Sequence, residues 1–268
     1  MSYRIRAPND TTDFQLFESL KDKVGHLSEG YFIAESPKVV AKVLESSLVI
    51  RAAFLTQGYF ERHEAELQNR LELIEITIAP KERMEQIVGY PLHQGVMLAV
   101  MIPEAPSLET LLAMADRPHT IVALDSIADA ENMGTIIRTC AAFGVTGLLV
   151  DSQSCHPFLR RSVRVSMGTV VQLPILRVQD LLPSLGDLKK RRYKIIGTAV
   201  NQKSQQIERA SISDNVVFVF GAEGHGLRPA IAEACDSLMR IPISGDVDSL
   251  NVGIACGIFL YERSRQLC

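Results

Sequence analysis

The sequence predicts an α/β protein in two parts, a small α/β domain followed by a larger one built on a mostly parallel sheet. Three observations predict it. From Gly30 onward, strand-like apolar runs alternate with helical patterns. Repeated strand–helix units of that kind pair their strands in parallel and cover both faces of the sheet. Two proline-bearing breaks, Pro103-Glu104-Ala105-Pro106-Ser107 and Ala115-Asp116-Arg117-Pro118, interrupt the alternation only once.

Taken in order, Tyr31 to Ala34 is the first strand, and Pro37 starts a helix that runs to about Ser46. Residues 48–55 form a strand, 59–71 a charged amphipathic helix, 74–78 a strand, 80–88 a helix and 95–102 a last strand. These make a first domain over 1–102. Residues 103–117 are a linker with a short helix inside it, and the second domain spans 118–268. Strands are expected there at about 120–125, 147–150, 170–173, 194–198, 216–220 and 238–241, with helical patterns between them.

Composition removes several classes. With 47% hydrophobic and 22% charged residues, the chain matches an ordinary globular protein rather than a disordered or collagen-like one. The longest apolar runs, such as residues 96–102, fall well short of the roughly 18 residues that span a bilayer, so no membrane helix is expected. The N-terminal residues carry no apolar signal core, which makes a cytoplasmic protein the default. Cys140, Cys155, Cys235, Cys256 and Cys268 form no Cys-x-x-Cys pair and read as reduced thiols, and the six histidines share no ligand-like spacing, so no metal is expected. Charge is uneven. Residues 1–117 carry 12 basic and 17 acidic side chains, whereas residues 118–268 carry 16 and 14, including clusters at Arg160, Arg161, Arg164 and at Lys189, Lys190, Arg191, Arg192, Lys194. Such clusters suit phosphates, or are simply solvated helix faces.

In parallel sheets ligands sit beyond the carboxyl ends of the strands, and three loops there carry polar residues. The first, after the strand ending at Asp125, contains Asn132-Met133-Gly134-Thr135-Ile136-Ile137-Arg138. Taken alone, Asn132 is a helix cap and Arg138 a surface residue. The second follows Val216 to Phe220 and reads Gly221-Ala222-Glu223-Gly224-His225-Gly226-Leu227-Arg228-Pro229. Its glycines permit close backbone approach by a ligand, or tight packing, and it lacks both the P-loop ending and the dinucleotide spacing. A nucleotide-dependent oxidoreductase is therefore disfavoured. The third runs from Ile241-Pro242 to Ser249-Leu250-Asn251-Val252, where Ser249 and Asn251 would serve equally as caps of a small-residue helix ending near Glu262.

Read together, Asn-x-Gly-x-x-x-Arg, Gly-x-Glu-Gly-x-Gly and Ile-Pro-x-x-Gly-x-x-x-Ser-Leu-Asn-Val occur in order across residues 132–252. This arrangement resembles the SpoU (TrmH-like) family of RNA methyltransferases, within the SPOUT class, from about residue 118 to the C-terminus. Residues 30–40 resemble, less distinctly, the accessory RNA-binding domain that many members carry in front. The resemblance implies a deep trefoil knot, an exception to the rule against knotted chains. It also implies S-adenosylmethionine as cofactor, a ribose 2′-hydroxyl of RNA as acceptor, ribosomal RNA favoured over transfer RNA, and a homodimer formed through the C-terminal domain.

By the same resemblance, Gly221, Ile241 and Leu250 hold the cofactor, Gly224 and Gly226 shape the loop, and Thr198, Ala199 and Val200 line it. Arg138 stabilises or accepts charge at the reacting hydroxyl. Arginine is an implausible free base, which favours the role of a cation at the target phosphate and developing alkoxide. Asn132 and Glu223 orient the arginine and the substrate, while Ser249 and Asn251 bind substrate near the methyl group. The chain departs from the family pattern in Asp129-Ala130-Glu131-Asn132, which lacks the proline that commonly precedes the asparagine, and at Gly253, where many members carry Ser. Asp246 and Asp248 put negative charge beside the expected RNA path, so RNA is expected to enter from the basic clusters. The alternatives are a base-methylating SPOUT enzyme and a catalytically idle RNA-binding protein.

Overall fold

Apolar runs buried on both faces make the centre of each sheet, and proline and glycine set where its helices start and stop. The computed structural model describes residues 4–6, 15–18, 25–71, 75–89, 91–92, 94–113, 118–199, 204–212, 214–244 and 247–267. They fall into two compact units, Met1–Pro103 with Phe158–Val171, and Glu104–Pro157 with Gln172–Cys268. The first part therefore gains a segment that the expected division at residue 118 assigns to the second.

In chain order the first unit holds β1 (Arg4–Arg6), α1 (Gln15–Glu18), α2 (Gly25–Ser28), β2 (Tyr31–Glu35), α3 (Pro37–Glu45), β3 (Ile50–Leu55), α4 (Gln57–Leu71), β4 (Glu75–Ile78), α5 (Lys81–Val88) and β5 (Val96–Met101). Its sheet has the order β1-β4-β3-β5-β2, in which β5 runs antiparallel to β3 and β2 while β1, β4 and β3 are parallel. Phe17, Tyr31, Ile33, Phe54, Met84 and Met97 fill one side of it. Chain-distant residues complete this unit. Phe158 lies 4.9 Å from Phe32, ring centre to ring centre, and the nearly buried Glu35 carboxylate lies 3.6 Å from Arg160 and 3.8 Å from Arg164.

The second unit continues with α6 (Leu108–Leu112), β6 (Thr120–Asp125), α7 (Ala130–Ala142) and β7 (Gly147–Val150). Helix α8 (Arg160–Val165) belongs to the first unit. Then come β8 (Ile175–Arg177), α9 (Leu181–Lys190), β9 (Lys194–Thr198), β10 (Gln205–Gln206), β11 (Val216–Gly221), α10 (Pro229–Ala234), β12 (Ser237–Arg240) and α11 (Val252–Leu267). The seven strands take the order β10-β12-β9-β11-β6-β7-β8, every pair parallel. One face is packed by Leu181, Leu185, Leu188 and Ile231 against Ile121, Ala123, Ile195, Val217 and Val219. On the other, Phe218 and Phe220 meet the ring of Phe259 edge-on.

The strand expected at 170–173 is corrected. Residues Thr169–Val171 form a 3-10 turn, and the strand starts after Pro174, at Ile175. Gly168 takes φ +78°, and a Cβ there would lie 3.1 Å from the Val39 backbone, so the chain turns at the very point where the apolar run begins. The final helix also runs past Glu262 to Leu267. Cys140 and Cys256 are buried free thiols, and Cys155 and Cys235 are partly buried. No described helix is long and apolar enough to cross a membrane, and no described group of His, Cys, Asp and Glu could hold a metal ion.

Candidate active site

Three segments meet at the carboxyl ends of β9, β11 and β6, beside the strand where the order of the sheet reverses. There Thr198, Ala199, Gly221, Ala222, Glu223, Gly224, Gly226, Asp248, Ser249, Leu250, Asn251 and Val252 line an open cavity of about 680 Å³. That is the size of an ordinary organic-ligand site. A smaller cavity of about 150 Å³ adjoins it, walled by Ser126, Ile127, Ala128, Asp129 and Asn132 and sharing Ala222, Glu223 and Val252.

The loop between β11 and α10 folds back on itself: the Gly226 N–H donates to the Ala222 carbonyl at 2.9 Å. Gly224 and Gly226 take φ of +82° and +70°, a region that L side chains rarely adopt. Gly221 is needed for a different reason. A Cβ on it would lie 2.2 Å from the Gly226 carbonyl carbon. On the opposite wall the Thr198 hydroxyl donates to the Val219 carbonyl at 3.1 Å, and the Ala199 N–H donates to the Met239 carbonyl at 2.9 Å.

Asn251 joins the three segments. Its Nδ2 donates to Asn132 Oδ1 at 2.8 Å and to Glu223 Oε1 at 3.0 Å. Its Oδ1 accepts from the backbone N–H groups of Gly253 and Ile254 at 2.9 and 3.3 Å, which caps α11. The expectation that Asn132 caps α7 is corrected, because Asp129 does so, its Oδ1 accepting from the Glu131 and Asn132 N–H groups at 2.8 Å each. With Asp129 as the cap, the Asn132 side-chain oxygen, three residues further in, accepts from Asn251 instead of from its own helix. Close packing of the two helices supports this contact, since a Cβ at Gly253 would lie 2.7 Å from Thr135 Cγ2.

Ser249 and Leu250 line the larger cavity. Ile241 directly follows β12 and is not among the lining residues, and Val200 and Asp246 lie outside the described residues. Arg138 is exposed, six residues and about 9 Å along α7 from Asn132. Among the described residues neither an ion pair nor a hydrogen bond restrains its guanidinium. His225 is exposed at the tip of its loop. In the second basic cluster, Lys189 pairs with Asp236 at 2.9 Å and Arg191 with Glu109 at 3.3 Å. Such surface pairs are worth little and leave the cations able to meet phosphate.

Sequence reasoning missed Ala222 and Val252 in the cavity wall and the linkage between Asp125 and Arg228 beneath it. Arg228 Nε donates to Asp125 Oδ1, and that carboxylate pushes the guanidinium pKa further up. The available signal was Asp125 itself, a carboxylate closing an otherwise apolar strand.

The fold and the site define an α/β domain with an open cavity of organic-ligand size at its strand ends, walled by glycine-rich backbone. The SpoU rRNA Methylase family matches residues 119–261. The chain is 34% identical over 76% of its length to the 23S rRNA (guanosine-2'-O-)-methyltransferase RlmB of Acinetobacter baylyi, covering 86% of that protein. It superposes on an AdoMet-bound rRNA methyltransferase from Sinorhizobium meliloti with a TM-score of 0.80 at 27% identity, covering 98% of this chain and 99% of that one. The SpoU methyltransferase AviRb from Streptomyces viridochromogenes shares the fold, with a TM-score of 0.83 at 23% identity over 96% of this chain and 98% of that one. The chain belongs to the SpoU rRNA Methylase family.

Proposed function

We propose that this protein transfers a methyl group from S-adenosylmethionine to a ribose 2′-hydroxyl of structured ribosomal RNA, with guanosine the first acceptor to test. The single observation that carries this is the Asn132–Asn251–Glu223 network standing between the two cavities. The family membership, and relatives named as 23S rRNA guanosine-2'-O-methyltransferases, support the same reaction.

The residues present fit the cofactor. The larger cavity is bordered by backbone of Thr198, Ala199 and the Gly221–Gly226 loop, with Leu250 as an apolar wall, and the space in front of Gly224 is open to 4 Å. Glu223 and Asp248 put carboxylates on a wall that would face a sulfonium cation. When bound, S-adenosylmethionine supplies an electrophilic methyl group. The chain's own residues then have to hold the acceptor oxygen in line with it and stabilise the charge that oxygen gains.

Asn132 and Glu223 wall the smaller cavity, Glu223 and Asn251 border the larger one, and Asn251 holds the other two, so the network spans the boundary between the compartments. Positioning falls to these three, with Ser249 at the same rim. Arg138 supplies positive charge to the phosphate and the developing alkoxide. Its exposed position on α7 suits a role across a two-fold axis. The homodimer is part of this proposal: Ile254 and Tyr261 of α11 stand 56% and 60% exposed. The knot also belongs to it, and β12 lying inside the sheet between β9 and β10 is what a threaded chain would produce. Work in the cytoplasm is part of the same proposal, supported by bacterial relatives named as rRNA methyltransferases.

The test uses labelled S-adenosylmethionine, unmodified ribosomal and transfer RNA, and the wild type beside Arg138→Ala, followed by alkaline hydrolysis. A methylated 2′-oxygen cannot attack its neighbouring phosphate. Label in alkali-resistant dinucleotides of ribosomal RNA, lost in Arg138→Ala while cofactor affinity stays, is the expected result. Label in mononucleotides would show a base acceptor, and no label from the wild type would overturn methyl transfer.

A further inference from the structure

The loop that walls the larger cavity is closed at both ends on one residue, Asp125: on its backbone at one end and on its carboxylate at the other. Gly221 pairs in register with Asp125 across β11 and β6. Seven residues later the Arg228 backbone N–H donates to Asp125 Oδ2 at 2.8 Å, and Arg228 Nε donates to Oδ1 of the same group. The guanidinium then reaches further along the strand ends, with Nη2 3.5 Å from Asp151 Oδ2 and 3.3 Å from Asp180 Oδ1. Asp125 and Asp151 are both fully buried.

Asp151 in turn holds a second loop. Its Oδ1 accepts from the Ser126 N–H at 3.1 Å, the Ser154 N–H at 2.9 Å and the Ser154 hydroxyl at 2.6 Å. The Ser154 hydroxyl oxygen accepts from the Ile127 N–H at 2.8 Å. Ser126 takes φ +64°, a left-handed conformation that costs a serine free energy unless its surroundings enforce it. The turn so held walls the smaller cavity and leads through the Asp129 cap into Asn132.

One arginine therefore ties together the loop that carries Glu223 and the turn that carries Asn132. We propose that Arg228 is a positioning residue for methyl transfer: by bridging Asp125 and Asp151 it sets the separation at which Glu223 and Asn132 both reach Asn251. This rests on the methyl-transfer reading. The composition of the cluster favours geometry over stability as its purpose. Three carboxylates around one guanidinium, two of them buried, is a costly way to close a sheet end that apolar side chains would close more cheaply. The planar fork of arginine can bond one carboxylate through Nε and reach others through Nη2, whereas a lysine ammonium has no such span.

The test compares the wild type with Arg228→Lys, with the double variant Asp125→Asn/Arg228→Met, and with Arg263→Met as a control. Arg263 is a buried arginine of α11 whose guanidinium meets Thr120 and the Asp214 carbonyl, at the opposite end of β6. The double variant removes one of the two buried charges that Arg228 loss would strand, and the other, Asp151, keeps its hydrogen bonds from Ser126 and Ser154, while Arg228→Lys retains a cation beside both carboxylates. Thermal midpoint, cofactor affinity by calorimetry and single-turnover methyl transfer at saturating RNA and cofactor are measured for each. Both Arg228 variants are expected to lose about 10- to 100-fold in single-turnover rate, as a small misplacement of positioned groups does, and to lose less in cofactor affinity. Arg263→Met should lose thermal stability and keep its turnover. Wild-type turnover in the folded Arg228 variants would overturn the proposal, as would a rate loss matched by Arg263→Met at equal thermal midpoint. An inactive wild type would overturn the methyl-transfer reading, and this proposal with it.

Discussion

Gly221 and Gly224 lie three residues apart in one loop, and a methyl group meets different physics at each. At Gly221 it would sit 2.2 Å from backbone of Gly226, and a backbone cannot step aside as a flexible side chain can. At Gly224 nothing lies within 4 Å, so the cost is conformational, about 1–2 kcal/mol for a left-handed L residue. Gly221→Ala is expected to break the loop and weaken calorimetric binding of S-adenosylmethionine more than tenfold; Gly224→Ala should lower the thermal midpoint and weaken binding less. Equal affinities in the two variants would refute this distinction. At this scale the sequence marked the right loops, because glycine between a strand and a helix is informative in itself. It did not assign reasons to individual residues. Whether Asp129 or Asn132 caps α7 depends on a one-turn difference in where the helix begins, and Arg228 lies 103 positions from the Asp125 it binds.

Between elements, the contact that fixes the site is the close crossing of α7 and α11. Gly253 admits Thr135 there, and any larger residue must displace its methyl group. Gly253→Ser therefore overpacks a tight contact despite the serine that many family members carry, and should cost about 1–3 kcal/mol in urea unfolding. Thr135→Ala in the same chain should recover most of that loss, since the two sites touch and their effects are not additive. Additive losses would show that the clash is relieved elsewhere. Strands such as Val216–Gly221 were legible because they are buried on both faces and read as unbroken apolar runs. The run at residues 170–173 is apolar but for Gln172, yet the turn at Gly168 and the proline at 174 make the strand begin five residues later, at Ile175. The edge strands Arg4–Arg6 and Gln205–Gln206 are too short for any period to show.

At the scale of the whole molecule, sequence order misleads about which segments belong together. Phe158–Val171 sits within the first unit because Phe158 meets Phe32 and Arg160 meets Glu35, pairings that no local pattern encodes. The oligomer poses the same problem in a sharper form. Ile254 and Tyr261 are seven residues apart on α11, so they share a helix face, and both are more than half exposed. Burying the exposed half of each against a second copy would contribute about 1–1.5 kcal/mol. The wild type is expected to sediment at twice 29.6 kDa, and Tyr261→Arg at 29.6 kDa. A monomeric wild type would end the shared-site idea. Mixing separates a shared site from a merely paired one. Arg138→Ala and Asn251→Ala should each be inactive alone. If Arg138 serves the partner's site, a mixed dimer of closed two-fold symmetry holds one site with both defects and one with neither, and an equal mixture regains about a quarter of wild-type activity. If Arg138 serves its own subunit, every site in the mixture keeps one defect and no activity returns.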